Sequence, residues 1–194
     1  GSGVFLVSIY DHLATQIESN IEERKDVLPH RYLYEKDGKK YLNLEGRKLI
    51  VNQCLHGVDI NQECVEVAKL SLSLKIIDGF EPIDFNNAGL YGSQILHGVG
   101  VNIKCGNSLV EPDILERFSC ISENLEELAA TNVFDYKTAF CDIFSRGGFD
   151  YVIGNPPYVE VKNYNVALPC MSAYIKQRYG SSRNGKIDLA IPFI

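Results

Sequence analysis

Three short apolar runs in this chain end in the same way, and that repetition constrains the fold more than any bulk property does. "LHGVDI" from Leu55 to Ile60, "VNIKCGNS" from Val101 to Ser108 and "FDYVIGNPPY" from Phe149 to Tyr158 each close on acidic, amide or glycine residues. The first is followed by "NQECVEVAKLSLSLKII", in which Val65, Ala68, Leu72 and Ile76 share one face at helical spacing. A strand, a polar tip and a helix make a βα unit. Repetition of that plan predicts an α/β fold, a mostly parallel sheet with helices on both faces. In such sheets ligands bind beyond the carboxyl ends of the strands, so the three polar tips are expected along one edge.

The rest of the chain is less regular. Phe5, Leu6, Ile9, Leu13 and Ile17 place a helix over 4–18, directly after Gly1-Ser2-Gly3. Residues 20–47 are charged and irregular, with Asp37-Gly38 a hairpin turn between tyrosine-rich arms, which reads as an inserted surface ribbon. A Gly/Asn-rich loop covers 84–100. Ile114 to Ala130 is acidic and helical, and "FDYKTAFCDIF" is amphipathic and aromatic. Lys162, Lys176, Arg178, Arg183 and Lys186, interleaved with Tyr164, Tyr174 and Tyr179, form a locally basic, aromatic stretch that by default is a solvated loop.

Asn155-Pro156-Pro157-Tyr158 carries the sharpest chemical signal. Proline lacks an N–H, fixes its own φ and drives the preceding residue toward extended geometry, so the segment is stiff and leaves its carbonyls and the Asn155 amide uncommitted to a ladder. It can end a strand, or hold an amide and a carbonyl rigidly toward a ligand beside an aromatic face. A turn that only ends a strand needs neither the asparagine before nor the aromatic after, which favours the second reading. Asp59 has two readings, the N-cap of the following helix or the acceptor of both hydroxyls of a ribose, and the two roles can be shared. Asn107 and Ser108 can be plain turn residues. Gly1 and Gly3 match a glycine-rich loop, although a leading Gly-Ser also occurs as an expression scar.

Composition narrows the class. With 194 residues, 45% hydrophobic and 23% charged, the chain has the make-up of a soluble domain with a real core. A single domain is the default. No apolar run approaches the roughly 20 residues that cross a bilayer, and no signal-peptide plan opens the chain, so a cytoplasmic location is expected, with no membrane partner. The six cysteines show no C-x-x-C pair and the histidines no zinc spacing, so no metal site is expected and the thiols read as reduced packing residues. A net charge of −6 argues against the whole surface gripping phosphates.

"GNPPY" resembles the catalytic motif of S-adenosylmethionine-dependent methyltransferases that act on amino groups. "GSGVFL" is similar to the second half of the cofactor loop of N6-adenine DNA methyltransferases, and the match of Val4-Phe5-Leu6 and the helix after it marks the glycines as native. "LHGVDINQECVEVAKLSL" is similar to their acidic-loop motif and "CGNSL" to their third motif. With the long insert before Asp59 and "GKIDLAIPF" after the Asn-Pro-Pro-Tyr loop, the chain most resembles gamma-type, Eco57I-like restriction–modification methylases. The resemblance leaves 18–47, 80–100 and 111–133 unmatched.

It implies a Rossmann-like S-adenosylmethionine-dependent methyltransferase fold truncated at both ends. Residues 1–194 would be part of one catalytic domain, with insertions at about 20–47 and 111–133 and a target recognition domain outside the chain. Asn155, Pro156, Pro157 and Tyr158 would be catalytic. Gly1, Gly3 and Phe5 would lie against the methionine portion of the cofactor, Asp59 on its ribose hydroxyls, Ile60 over its adenine and Asn107 with Ser108 at that adenine's edge, where many relatives carry Asp in place of Asn107. Implied partners are double-stranded DNA, gripped largely through other regions, and a specificity or restriction subunit or a fused nuclease. Two other readings stay open: a methyltransferase acting on an RNA base or a protein glutamine, and a non-catalytic module that keeps the fold. An oxidoreductase fits worse, because "GSGVFL" lacks a third glycine.

Overall fold

A computed structural model describes residues 3–23, 28–80, 97–155 and 164–179. They fall into two compact units that divide between Lys104 and Cys105.

In the first unit, α1 (Val4–Glu22) starts from Gly3, whose φ of 77° is left-handed, and runs a turn beyond the expected helix. Its inward face holds Leu6, Ile9, Tyr10, Leu13 and Ile17, whereas Phe5 is turned outward. The expected ribbon is present. Strands β1 (Leu33–Lys36) and β2 (Lys39–Leu42) pair antiparallel with Leu33 opposite Leu42. Asp37 and Gly38 both take positive φ, as a two-residue hairpin turn requires.

Helix α2 (Leu44–Cys54) is a correction to the sequence reading, which had left 44–47 in the ribbon. Asn43 nucleates it by accepting the Gly46 N–H at 2.9 Å, and Gly46 is needed because a Cβ there would lie 2.5 Å from the Tyr32 carbonyl oxygen. Strand β3 (Gly57–Asp59) leads into α3 (Gln62–Ile77), which buries Val65, Ala68, Leu72 and Ile76, the face read from periodicity. Leu72 is completely buried, so truncating it to alanine costs about 2–5 kcal/mol. Arg47 closes the far end of α3 by donating to the Ile76 and Asp78 carbonyls at 3.2 and 2.6 Å, a cation where the helix dipole favours one. Helices α1, α2 and α3 pack on one another, and β4 (Ile103–Cys105) lies beside β3.

The second unit is built from short helices: α4 (Ile114–Arg117), α5 (Ser119–Glu123), α6 (Leu125–Thr131), α7 (Tyr136–Ala139), α8 (Cys141–Ser145), α9 (Tyr164–Ala167) and α10 (Pro169–Arg178). Residues 111–133, expected as an insertion, supply core side chains here, since Ile114 and Ile121 are fully buried with Val110, Met171, Tyr174 and Ile175. The described part of the basic, aromatic stretch is helical and packed on this core, a correction to its reading as a solvated loop. Cys120 and Cys170 form a disulfide across 50 residues of sequence, which corrects the expectation of six reduced thiols. Pairing over that distance leaves no local spacing to read.

The sheet is smaller than expected. The described strands make two sheets of two strands each, together with a parallel bridge between Asn107 and Val133. Residues 151–155 form no strand, and Tyr151, Val152 and Ile153 are 91%, 84% and 61% exposed. An apolar run becomes a strand only where a neighbour takes its ladder hydrogen bonds. The chain is thus a mixed helix and strand protein, and the larger parallel sheet belongs to the proposal below.

Candidate functional site

Of the expected cofactor residues of the first unit, Gly3 packs on the middle of α3, and Asp59 and Ile60 lie just ahead of that helix. Gly3 lies against that helix: a Cβ on Gly3 would come within 2.8 Å of Ala68 Cα, so both its positive φ and this close approach call for glycine. The Gly3 carbonyl accepts the Val7 N–H at 2.9 Å and opens α1. Leu6 from the first turn of α1 rests on Gly57, 3.3 Å from the position of an added Cβ, which places that turn beside β3.

Asp59 ends β3 and accepts the Asn61 N–H at 2.9 Å, a local Asx turn. The helix cap is Asn61, which accepts the Cys64 N–H at 3.1 Å. The capping reading of Asp59 is therefore corrected. Ile60, next to the partly exposed Asp59, is 54% exposed, and Phe5 in the first turn of α1 is 53% exposed. Gly1 lies outside the described residues.

In the second unit the Asn107–Ser108 turn is held from several sides. The Asn107 N–H donates to the Asn132 carbonyl at 2.7 Å, and Asn107 Oδ1 accepts the Leu109 N–H at 3.1 Å. Its Nδ2 points to Met171 Sδ at 3.5 Å, and the residue is only 7% exposed. The turn reading of Asn107 is thus satisfied by its own side chain. The Ser108 carbonyl accepts the Tyr136 hydroxyl at 3.5 Å, and burial raises that hydroxyl's pKa.

Gly106, directly before the turn, has no room for a Cβ, which would sit 2.4 Å from Phe134 Cδ2. Phe134 stacks edge-on with Tyr136 at 4.9 Å, and Phe140 continues the set to Phe149 at 5.5 Å. The aromatic "FDYKTAF" segment therefore braces the turn, a role that sequence reasoning did not assign. Asn155 is exposed at the end of the strandless segment 151–155. Pro156, Pro157 and Tyr158 lie outside the described residues. Among the described residues no group of histidine, cysteine and carboxylate side chains could hold a metal ion, and no helix is long and apolar enough to cross a membrane.

Comparison with known proteins gives the family. Residues 53–194 match the family model described as Eco57I restriction-modification methylase, and the chain belongs to that family. It is 22% identical over 187 residues to the type II restriction enzyme and methyltransferase RM.Eco57I of Escherichia coli, covering 94% of this chain and 16% of that protein. It is 33% identical over 141 residues to RM.MjaORFECS2P of Methanocaldococcus jannaschii, covering 73% of this chain and 10% of that protein. The chain thus spans under a fifth of the length of these relatives. No solved structure matches it.

Proposed function

We propose that this chain is part of the catalytic domain of a DNA methyltransferase that moves a methyl group from S-adenosylmethionine to the N6 amino group of adenine, within a restriction–modification system. The observation that carries the reading is the family match over 53–194, which contains Asp59, Asn107 and the whole Asn155 to Tyr158 segment. That match also crosses the boundary between the two compact units, which supports a single catalytic domain, and a Rossmann-like parallel sheet is part of the same proposal.

The residues around α3 fit the cofactor in kind. A half-exposed carboxylate suits the ribose hydroxyls, the exposed faces of Ile60 and Phe5 suit adenine and the methionine chain, and Gly3, closed on one side by Ala68, would lie against the methionine portion. Gly1 would extend the glycine turn. Asn107 and Ser108 would meet the edge of the cofactor adenine. When bound, S-adenosylmethionine supplies an electrophilic methyl group on a sulfonium.

The amino nitrogen of adenine is a poor nucleophile because its lone pair is delocalised into the ring. The Asn155 side-chain oxygen and the Pro156 carbonyl would accept its two hydrogens and favour a more tetrahedral nitrogen with its lone pair toward the methyl. The prolines supply stiffness, so the acceptors need no reorganisation during transfer. Tyr158 would stack on the adenine once it has left the duplex. Double-stranded DNA is the proposed substrate, and recognition of its sequence is assigned to a region outside this chain. A restriction or specificity subunit, or a fused nuclease, is the proposed partner, in the cytoplasm.

The test is the fate of labelled methyl groups offered by the full-length protein to unmethylated DNA, RNA and a glutamine-bearing release factor in parallel. Label confined to N6-methyladenine in DNA is expected. Label on RNA or protein would move the substrate, and label nowhere would remove the catalytic reading.

A further inference from the structure

Helix α10 is fastened to every second residue of the segment that leads away from the Asn107–Ser108 turn. Met171 receives the Asn107 amide at 3.5 Å. The Tyr179 hydroxyl, at the end of the helix, donates to the Leu109 carbonyl at 3.1 Å. The Tyr174 hydroxyl accepts the Glu111 N–H at 3.4 Å and donates to Asp113. Arg178 spans two carboxylates, meeting Glu111 Oε1 at 2.8 Å and Asp113 Oδ2 at 3.0 Å.

Such regularity is more than packing needs. Hydrophobic contact alone would hold α10 through Met171, Tyr174 and Ile175, all buried in the core of this unit. At the helix end Arg178 is half-buried and Tyr179 packs its ring against that core, and the polar groups of both go to the 109–113 segment. A guanidinium bridging two carboxylates fixes both in position, because its planar fork bonds them directionally.

We propose that α10 is a positioning element of the cofactor site, and that Arg178 and Tyr179 set the pose of the Asn107–Ser108 turn by holding residues 109–113. This rests on the assignment of that turn to the cofactor adenine. Neither residue touches the cofactor. Loss of either bond lets the segment shift, so the turn meets the adenine edge less often while the methyl-transfer step is unchanged once the cofactor is seated.

The test uses the full-length protein with Arg178→Gln, Arg178→Lys and Tyr179→Phe, and with Ile121→Val as a control that loosens the same core. KM for S-adenosylmethionine, kcat at saturating cofactor and DNA, and the thermal midpoint are measured for each. Arg178→Gln is expected to raise the cofactor KM about tenfold with kcat held, the size of one charge-assisted hydrogen bond. Arg178→Lys, which can reach one carboxylate, recovers part of that loss, and Tyr179→Phe raises KM roughly threefold with almost no change in midpoint. Ile121→Val lowers the midpoint and leaves KM unchanged. Arg178 and Tyr179 variants that behave like this control, with wild-type transfer normal, would overturn the inference alone. A wild-type protein that neither binds the cofactor nor transfers methyl would overturn the proposed function and this inference with it.

Discussion

Glu127 Oε1 accepts the backbone N–H of Cys170 at 2.7 Å and that of Met171 at 3.1 Å, so a side chain on α6 caps the first turn of α10. The carboxylate is 2% exposed and places negative charge where the helix dipole is positive. Glu127→Ala leaves both amides buried without an acceptor and is expected to lower the unfolding free energy by about 2–3 kcal/mol in chemical denaturation. Glu127→Gln keeps one acceptor oxygen and is expected to cost clearly less. Equal losses would show that the acceptor is not what matters.

The roles of Asp59 and Asn61 separate by measurement. Asn61 caps α3, and Asn61→Ala is expected to destabilise the protein by about 1 kcal/mol with cofactor affinity nearly unchanged. Asp59→Ala is expected to do the reverse, a small change in thermal midpoint and a large loss of S-adenosylmethionine binding by calorimetry. A loss of binding confined to Asn61→Ala would contradict the assignment of the carboxylate.

Alkaline stability reports on Tyr10. Burial pushes its hydroxyl up to about 12, with Arg47 pulling the other way. The unfolded chain ionises this group near about 10, so its contribution is intact below that pH and is lost as pH rises through the folded value. Between those limits stability is expected to fall by at most about 1.4 kcal/mol per pH unit on account of this residue. In pH-dependent denaturation Tyr10→Phe should fall less steeply over that window. An unchanged slope would show that the hydroxyl titrates alike in both states.

Much of the first unit was legible because its signals are local. The buried face of α3, the Asp37-Gly38 hairpin and the acid at the end of β3 are all written within a few residues of one another. Helix α2 escaped because Gly46 and its charged neighbours hide the period, and its decisive signal was a single capping asparagine. The second unit was less legible. Its helices of four to seven residues before α10 are too short for a period, and its ties join Glu127 to Cys170 across 43 positions and Arg178 to Asp113 across 65. Likewise the apolar run before Asn155 announces a strand, but strand formation depends on partners that local sequence cannot name. The candidate site was read from motifs. Its bracing by Phe134 and Tyr136 required the three-dimensional contact at Gly106.

The most direct test compares the full-length protein with its Asn155→Ala variant, measuring both S-adenosylmethionine binding and the nucleosides of DNA incubated with labelled cofactor. The expected result is labelled N6-methyladenine from the wild type, none from the variant, and cofactor binding of similar strength in both. Methylation that persists without the Asn155 amide, or a variant that loses cofactor binding together with transfer, would contradict the role assigned to this residue.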